Sequence, residues 1–100
     1  MKPVTVINHL SIKPGKMDEF IEAQRRFAAA LPPCGLVGGR MYRSADGKSA
    51  VLVSTFQSKD AQEQILGRAD FKEHLRNLQP FVDSSSPGFY EEAYTTGDFN

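Results

Sequence analysis

The first apolar segment of the chain would place apolar side chains on both faces of a strand. This restricts the possible folds more than any other segment of the sequence does. It reads VTVINHLSI from Val4 to Ile12, is rich in β-branched residues, and stops before Pro14-Gly15, as a strand would. One face would carry Val4, Val6, Asn8, Leu10 and Ile12, and the other Thr5, Ile7, His9 and Ser11. Because apolar side chains occur on both faces, we predict a central strand that is covered on both sides.

The next segment changes from the period of a strand to that of a helix. Residues 16–31 place apolar side chains three and four positions apart, which predicts a helix with one buried stripe. Pro32-Pro33 ends this helix, because proline cannot continue the hydrogen-bond ladder. The stripe contains Met17, Phe20, Ile21, Gln24, Phe27, Ala28 and Leu31, so a single polar side chain interrupts it.

A hairpin and a helix follow. Strands are predicted from Leu36 to Arg43 and from Ser49 to Gln57. The turn between them contains Asp46-Gly47, where glycine accepts a positive φ at little cost. Ser58 is predicted to cap a helix that runs from Lys59 to Leu66.

Near its C-terminal end the chain returns to helix and then to strand. A capping-box-like sequence predicts that a second helical piece begins at Asp70 and bends or ends at Pro80. Its apolar stripe would be Phe71, Leu75, Leu78 and Phe81. Residues 83–88 (DSSSPG) predict a loop, and residues 89–96 predict the last strand, with two tyrosines on one of its faces.

The order of elements is therefore β-α-β-β-α-β, an α+β class. It predicts a ferredoxin-like fold, with an antiparallel four-stranded sheet and both helices on one face. Residues 1–100 would form one domain, with an ordered core over about 4–96. The other sheet face would be bare, and apolar side chains there favour a homodimer that packs face to face into a dimeric α/β barrel. The candidates for this face are Ile7, Phe56 and either Leu52 or the pair Val51 and Val53.

The charge balance and the cysteine count exclude several classes of function. Twelve Lys and Arg residues balance twelve Asp and Glu residues, so the chain lacks the positive excess of a nucleic-acid binder. One cysteine and two distant histidines predict neither a disulfide nor a metal site. No apolar run approaches the roughly 20 residues of a membrane span, and the start MKPVTVINHL does not resemble a signal peptide. We therefore expect a cytoplasmic protein without membrane contact.

Several segments, taken in order, resemble the antibiotic biosynthesis monooxygenase family. The opening VINHLSIKPGKMDEF is similar to that family's first strand, Pro-Gly-Lys turn and following helix. PCGLVGGRMYRS resembles its second strand, STFQSKDA its third strand and Ser-capped helix, and ADFKEH its short second helical piece. The resemblance covers Thr5 to Tyr94, which is nearly the whole chain.

The resemblance implies dimers in which each subunit has a pocket between its sheet and its helices. Some members of that family oxidise aromatic polyketide intermediates with molecular oxygen and without metal or flavin, so no cofactor is expected. Other members degrade haem with a strand-one Asn, a Trp and a His. Asn8 matches that Asn, but the Trp position falls at Ile65 and the His position at Leu75, which disfavours haem degradation.

Two side chains are candidates for catalysis. Asn8 stands on an apolar strand face, where an unpaired amide costs about 1–3 kcal/mol, so it needs a partner from protein, water or ligand. In a pocket it could hold a carbonyl or enolate oxygen; the alternative is a structural hydrogen bond to a neighbouring loop. His74 is predicted on a helix surface, and a proton relay at the mouth of the pocket is the alternative.

Five further side chains are candidates for contact with a substrate: Gln24, Tyr42, Phe56, Ile65 and Phe71. Gln24 would either face the pocket or mark the border of the helical stripe. An apolar and aromatic wall suits a small, flat, apolar ligand. The resemblance therefore implies a cofactor-independent monooxygenase, or a related enzyme, for an aromatic, quinone-like or enolisable substrate. The alternative is a non-catalytic dimer that binds a small ligand or stabilises a partner.

Overall fold

The computed structural model describes residues 2–98 and confirms the ferredoxin-like α+β fold. The elements, in chain order, are β1 (Val4–Ile12), α1 (Met17–Ala30), β2 (Leu36–Arg43), β3 (Ser49–Phe56), α2 (Lys59–Leu66), α3 (Ala69–Leu78), a 3-10 turn (Gln79–Phe81) and β4 (Val82–Tyr90). The strands form one antiparallel four-stranded sheet in the order β2-β3-β1-β4, so β1 lies inside the sheet as predicted. Within residues 2–98, no helix has both the length and the apolarity to cross a membrane.

Apolar side chains of the sheet and the helices form a core on one side of the sheet. Its buried members are Leu10, Ile12, Met17, Phe20, Ala50 and Leu78. Phe20 on α1 is almost completely enclosed, with 1% of its surface exposed. Because α1, α3 and the central strands all contribute to this cluster, burial of the cluster holds both helices against the same sheet face.

The strand register assigns each side chain to one of two sheet faces. Cross-strand partners in an antiparallel sheet point to the same side. Leu52 is the partner of Asn8 on the helix side, and Phe56 lies there too, as the partner of Val4. The opposite face, called the open face below, carries Ile7, His9, Tyr42, Val51, Val53 and Tyr90. The two valines are thus the correct alternative for this face, and the placement of Leu52 and Phe56 on it is wrong.

The last strand differs from the one that the sequence predicts. It begins at Val82, so residues 83–88 are part of β4 and do not form a loop. Their Ser, Pro and Gly content is typical of a turn, but β4 is an edge strand, and an edge tolerates a proline that cannot donate to the ladder. The strand ends at Tyr90, so Tyr94 lies beyond it, with 82% of its surface exposed. The two tyrosines therefore do not share a strand face.

The start of α3 also differs from prediction. Arg68 occupies the N-cap position, and Asp70 lies in the first turn of the helix. Nε and Nη2 of Arg68 donate to the two carboxylate oxygens of Asp70 at 2.9 and 3.0 Å, which holds the pKa of Asp70 below its ordinary value. Asp70 is therefore the partner of the residue at the N-cap position and does not occupy that position itself.

Candidate functional site

A cavity of about 310 Å³ opens between the helix side of the sheet, α1 and α3. Its apolar wall consists of Leu10, Phe20, Leu52, Phe71, Leu75, Leu78 and Val82. Its polar groups are Asn8, Gln24, His74, Gln79, Asp83, Ser84 and Ser85. An apolar recess with a few polar groups on facing elements is typical of small-molecule sites, and this volume lies near the lower end of their range.

Asn8 projects from the middle of β1 into this cavity. Its Oδ1 accepts a hydrogen bond from the backbone N–H of Ser86 on β4, at 3.1 Å. That bond fixes the plane of the amide. Among the residues that the structure describes, no group accepts a hydrogen bond from Nδ2 of Asn8. The side chain therefore makes the structural hydrogen bond that the sequence left as an alternative, and it also keeps its two N–H donors for the cavity.

His74 is buried and not a surface residue, with 7% of its surface exposed. Its ring stacks on Phe27 of α1, with centroids 4.1 Å apart and planes 3° from parallel. The predicted stripe of α3 is rotated: Leu75 is 48% exposed, whereas His74 and Leu78, one helical turn apart, are buried. Aromatic packing against α1 thus draws His74 inward, and the prediction of a surface histidine is wrong.

Gln24 faces the cavity and contacts His74. Oε1 of Gln24 lies 2.5 Å from Nε2 of His74. The polar interruption in the stripe of α1 therefore has a polar partner on α3, at the point where the two helices meet. Of the two positions that the sequence allowed for Gln24, the structure shows the pocket-facing one, and its contact with a substrate stays a prediction.

Burial lowers the pKa of His74 below its ordinary value of 6.5. The unfolded chain, whose histidine is solvated, therefore binds a proton at a higher pH than the folded chain does. The free energy of unfolding is therefore highest above the pKa of the unfolded chain, and it falls as the pH falls from that pKa through the lower pKa of the folded chain. We expect the urea midpoint to fall between pH 7.5 and pH 5, and His74→Gln to reduce that fall.

His9, on the open face and away from the cavity, provides the comparison for this titration, because His9→Gln removes the other histidine and leaves the buried one in place. Urea unfolding at the two pH values measures all three proteins. An equal fall in the midpoint for His74→Gln and for the unaltered chain would show that His74 does not contribute.

Three of the predicted contact residues lie outside the cavity. Phe56 is buried on the helix side but pairs with Val4 and Leu36 at the far end of β3 from Ala50. Tyr42 projects from the open face, with 47% of its surface exposed. Ile65 belongs to α2 and lines a separate cleft. Of the five candidates, Gln24 and Phe71 are the ones that share the cavity with Asn8 and His74.

The sequence did not identify the contribution of β4 to the cavity. Asp83, Ser84 and Ser85 line it because these residues form a strand beside β1. The prediction of a loop over residues 83–88 is wrong, and a loop would not have placed their side chains beside Asn8. A signal was available, since Asn8 on a central strand needs a partner on the adjacent strand.

A second, more open cleft of about 630 Å³ lies between α2 and the segment that precedes β2. Gly35 in this segment has a φ of +94°, and a Cβ at this position would lie 2.6 Å from Cβ of Ala61. Only glycine allows the segment to approach α2 this closely. Cys34, Ile65 and Arg68 are among the residues that line the cleft. Within residues 2–98, no group of three or more His, Cys, Asp or Glu side chains is placed to hold a metal ion.

Comparison with known proteins gives a family match and several matches of structure. A family model described as antibiotic biosynthesis monooxygenase matches residues 3–77. SnoaB, a cofactor-independent oxygenase from Streptomyces nogalater, is 25% identical with a TM-score of 0.81, over 95% of this chain and 97% of SnoaB. A mutant form of SnoaB gives 26% identity and a TM-score of 0.82 over the same shares.

More distant structures share the fold. A conserved protein from Methanosarcina mazei Go1 is 18% identical with a TM-score of 0.79, over 92% of this chain and 94% of that one. PA3566 from Pseudomonas aeruginosa is 14% identical with a TM-score of 0.78, over 94% and 97% of the two chains. No curated protein matches the chain significantly.

Proposed function

Because the chain belongs to the antibiotic biosynthesis monooxygenase family, we propose that it is a cofactor-independent oxygenase for an electron-rich aromatic or enolisable substrate. One observation carries the proposal: the cavity brings the free amide donors of Asn8 and the buried ring of His74 to one apolar and aromatic space. The similarity to SnoaB, a cofactor-independent oxygenase, supports the same reaction class.

The reaction needs a substrate that can supply every electron itself. A CH₂ group that two aromatic rings conjugate with a carbonyl, as in an anthrone, loses a proton to form an enolate. The enolate transfers electrons to O₂. One oxygen atom becomes a new carbonyl on the substrate carbon and the other leaves as water, so the four electrons that reduce O₂ come from the CH₂ group. No external reductant is consumed.

Asn8 is placed to stabilise the enolate in this scheme. The backbone of Ser86 holds Oδ1 of Asn8, so the donors on Nδ2 are oriented before a substrate arrives. A fixed donor aimed at a developing negative charge stabilises it more than a mobile one, because no reorganisation accompanies the reaction.

His74 is the candidate proton acceptor. Burial lowers its pKa, so the imidazole is neutral at pH 7 and can accept a proton. Phe71 lines the same cavity, and its ring packs against Phe27 with centroids 5.9 Å apart. A flat aromatic substrate would therefore lie against aromatic and aliphatic side chains beside the base.

Oxygen consumption tests the proposal. We expect the protein to accelerate oxygen uptake by anthrones or hydroquinones, with no added flavin and after treatment with a chelator. Uptake should match one O₂ per anthrone converted to the quinone. No acceleration across such a panel would overturn the proposal, and saturable binding of the same compounds would then favour the non-catalytic ligand-binding alternative. A haem titration is expected to show no Soret shift.

We also propose that two chains pair through their open faces. Ile7, Val51 and Val53 lie there, with Tyr42 and Tyr90 about half exposed beside them. Apolar and aromatic side chains on one sheet face favour a second copy, and a net charge of zero does not oppose it.

A further inference from the structure

The contact between Gln24 and His74 determines which ring nitrogen carries hydrogen. Nε2 of His74 lies within hydrogen-bond distance of Oε1 of Gln24. An amide oxygen can only accept, so the hydrogen is on Nε2 of the neutral ring. A neutral imidazole has one N–H, and Nδ1 of His74 is therefore a free acceptor.

This acceptor belongs to a residue that lines the cavity. Within the described part of the chain, every buried side-chain nitrogen or oxygen has a hydrogen-bond partner. His74 makes its hydrogen bond through Nε2, and Nδ1 has no partner among the described residues. Because a buried atom would have one, Nδ1 is accessible to solvent. Phe27 stacks on the ring of His74. If the ring turned by 180°, a carbon atom would take the place of the N–H that faces Gln24.

We propose that Gln24 is a positioning residue, which holds His74 in the Nε2–H tautomer and so presents Nδ1 to the substrate as the proton acceptor. The proposal rests on the proposed function, because it assigns an atom to the proton transfer of the same site. Without Gln24 the ring can take either tautomer, and the Nδ1–H form would present a donor to the substrate where an acceptor is needed.

Few charges act on this pair. Asp83 on β4 is the other titratable side chain among the cavity-lining residues. The charged residues of α1 near Gln24 are paired with one another: the half-buried Glu22 contacts both Arg25 and Arg26, which are exposed. On α3, Glu73 is exposed beside His74. The group that accepts the hydrogen bond from Nε2–H is therefore the neutral amide of Gln24. A carboxylate in its place would stabilise the imidazolium and make the ring a stronger base.

Two variants of Gln24 test the proposal in opposite directions. Gln24→Met keeps the length of the side chain but removes the acceptor, and Gln24→Glu keeps an acceptor and adds charge. Long-range proton–nitrogen NMR distinguishes the tautomers of the two histidines, and His9, on the open face and away from Gln24, gives the signals for comparison. At a pH above the pKa of His74 in each protein, where the ring is neutral, we expect His74 to be Nε2–H in the unaltered chain and in Gln24→Glu. In Gln24→Met we expect the Nδ1–H form to appear.

The pH dependence distinguishes a positioning role from a merely structural one, because a structural role would leave it unchanged. Gln24→Glu should raise the pKa of His74 by about one to three units, and the acid limb of any oxygen-uptake profile should move upward with it. An unchanged tautomer in Gln24→Met, or Nδ1–H in the unaltered chain, would overturn the positioning role. These NMR readings need no substrate. If no compound is oxidised, the proposed function fails while the role of Gln24 is still decided.

Discussion

Asn8→Ala is expected to slow substrate-dependent oxygen uptake by about 100-fold or more, the loss seen when one preoriented donor to an oxyanion is removed. The alanine removes the Nδ2 donors that face the cavity, and it also removes the Oδ1 acceptor of the Ser86 N–H. The loss should appear in kcat more than in KM, because charge on the substrate oxygen is largest in the transition state. Initial rates with an oxygen electrode measure it.

Asn8→Asp tests the Nδ2 donors separately from the hydrogen bond that Oδ1 accepts from Ser86. The carboxylate can still accept from Ser86, so β4 keeps its contact with β1, but it offers no N–H and brings a negative charge toward the enolate. We expect this variant to lose as much activity as Asn8→Ala while its unfolding midpoint stays closer to that of the unaltered chain. Glu63→Gln, on α2 and outside the cavity, is the matched control. Full activity in Asn8→Asp would contradict the donor role.

The sequence predicted most of the fold because its turns and caps are local. Pro14-Gly15 and Pro32-Pro33 bound β1 and α1, and Ser58 accepts the N–H of Ala61 as an N-cap should. The start of β4 could not be predicted in this way. Its serines, proline and glycine resemble a turn, and they are extended because β1 offers a free edge for pairing.

The candidate site was predicted less completely than the fold, for two physical reasons. A strand's period gives the face of a residue but not its neighbours along the sheet, so Phe56 shares the face of Asn8 and yet lies away from the cavity. A helical stripe predicted from apolar residues alone excludes a histidine that packs through its ring. His74 is three positions after Phe71 and four before Leu78, which is the spacing of a buried stripe.

The other large expected effect concerns the open face. Ile7 lies on β1 inside the sheet, where its partners are Val53 and Gly88, so it is central to the proposed contact between two chains. In a twofold interface one substitution occurs twice. Burying an unpaired carboxylate costs several kcal/mol, and two of them should raise the dissociation constant of the dimer by more than a thousandfold.

Ile7→Asp is therefore expected to convert a dimer into a monomer at micromolar concentration, as measured by light scattering after size exclusion. Ile7→Val is the matched control, because it keeps an apolar β-branched side chain on the same face and should remain dimeric. Circular dichroism establishes that the sheet is intact in both variants. In the monomer the carboxylate faces water, so its free-energy cost to folding is small. The Ile7→Asp chain should therefore stay folded although it no longer binds a second chain. A dimer that persists in Ile7→Asp would place the interface elsewhere, and a monomeric unaltered chain would show that the open face has no second copy of this chain against it.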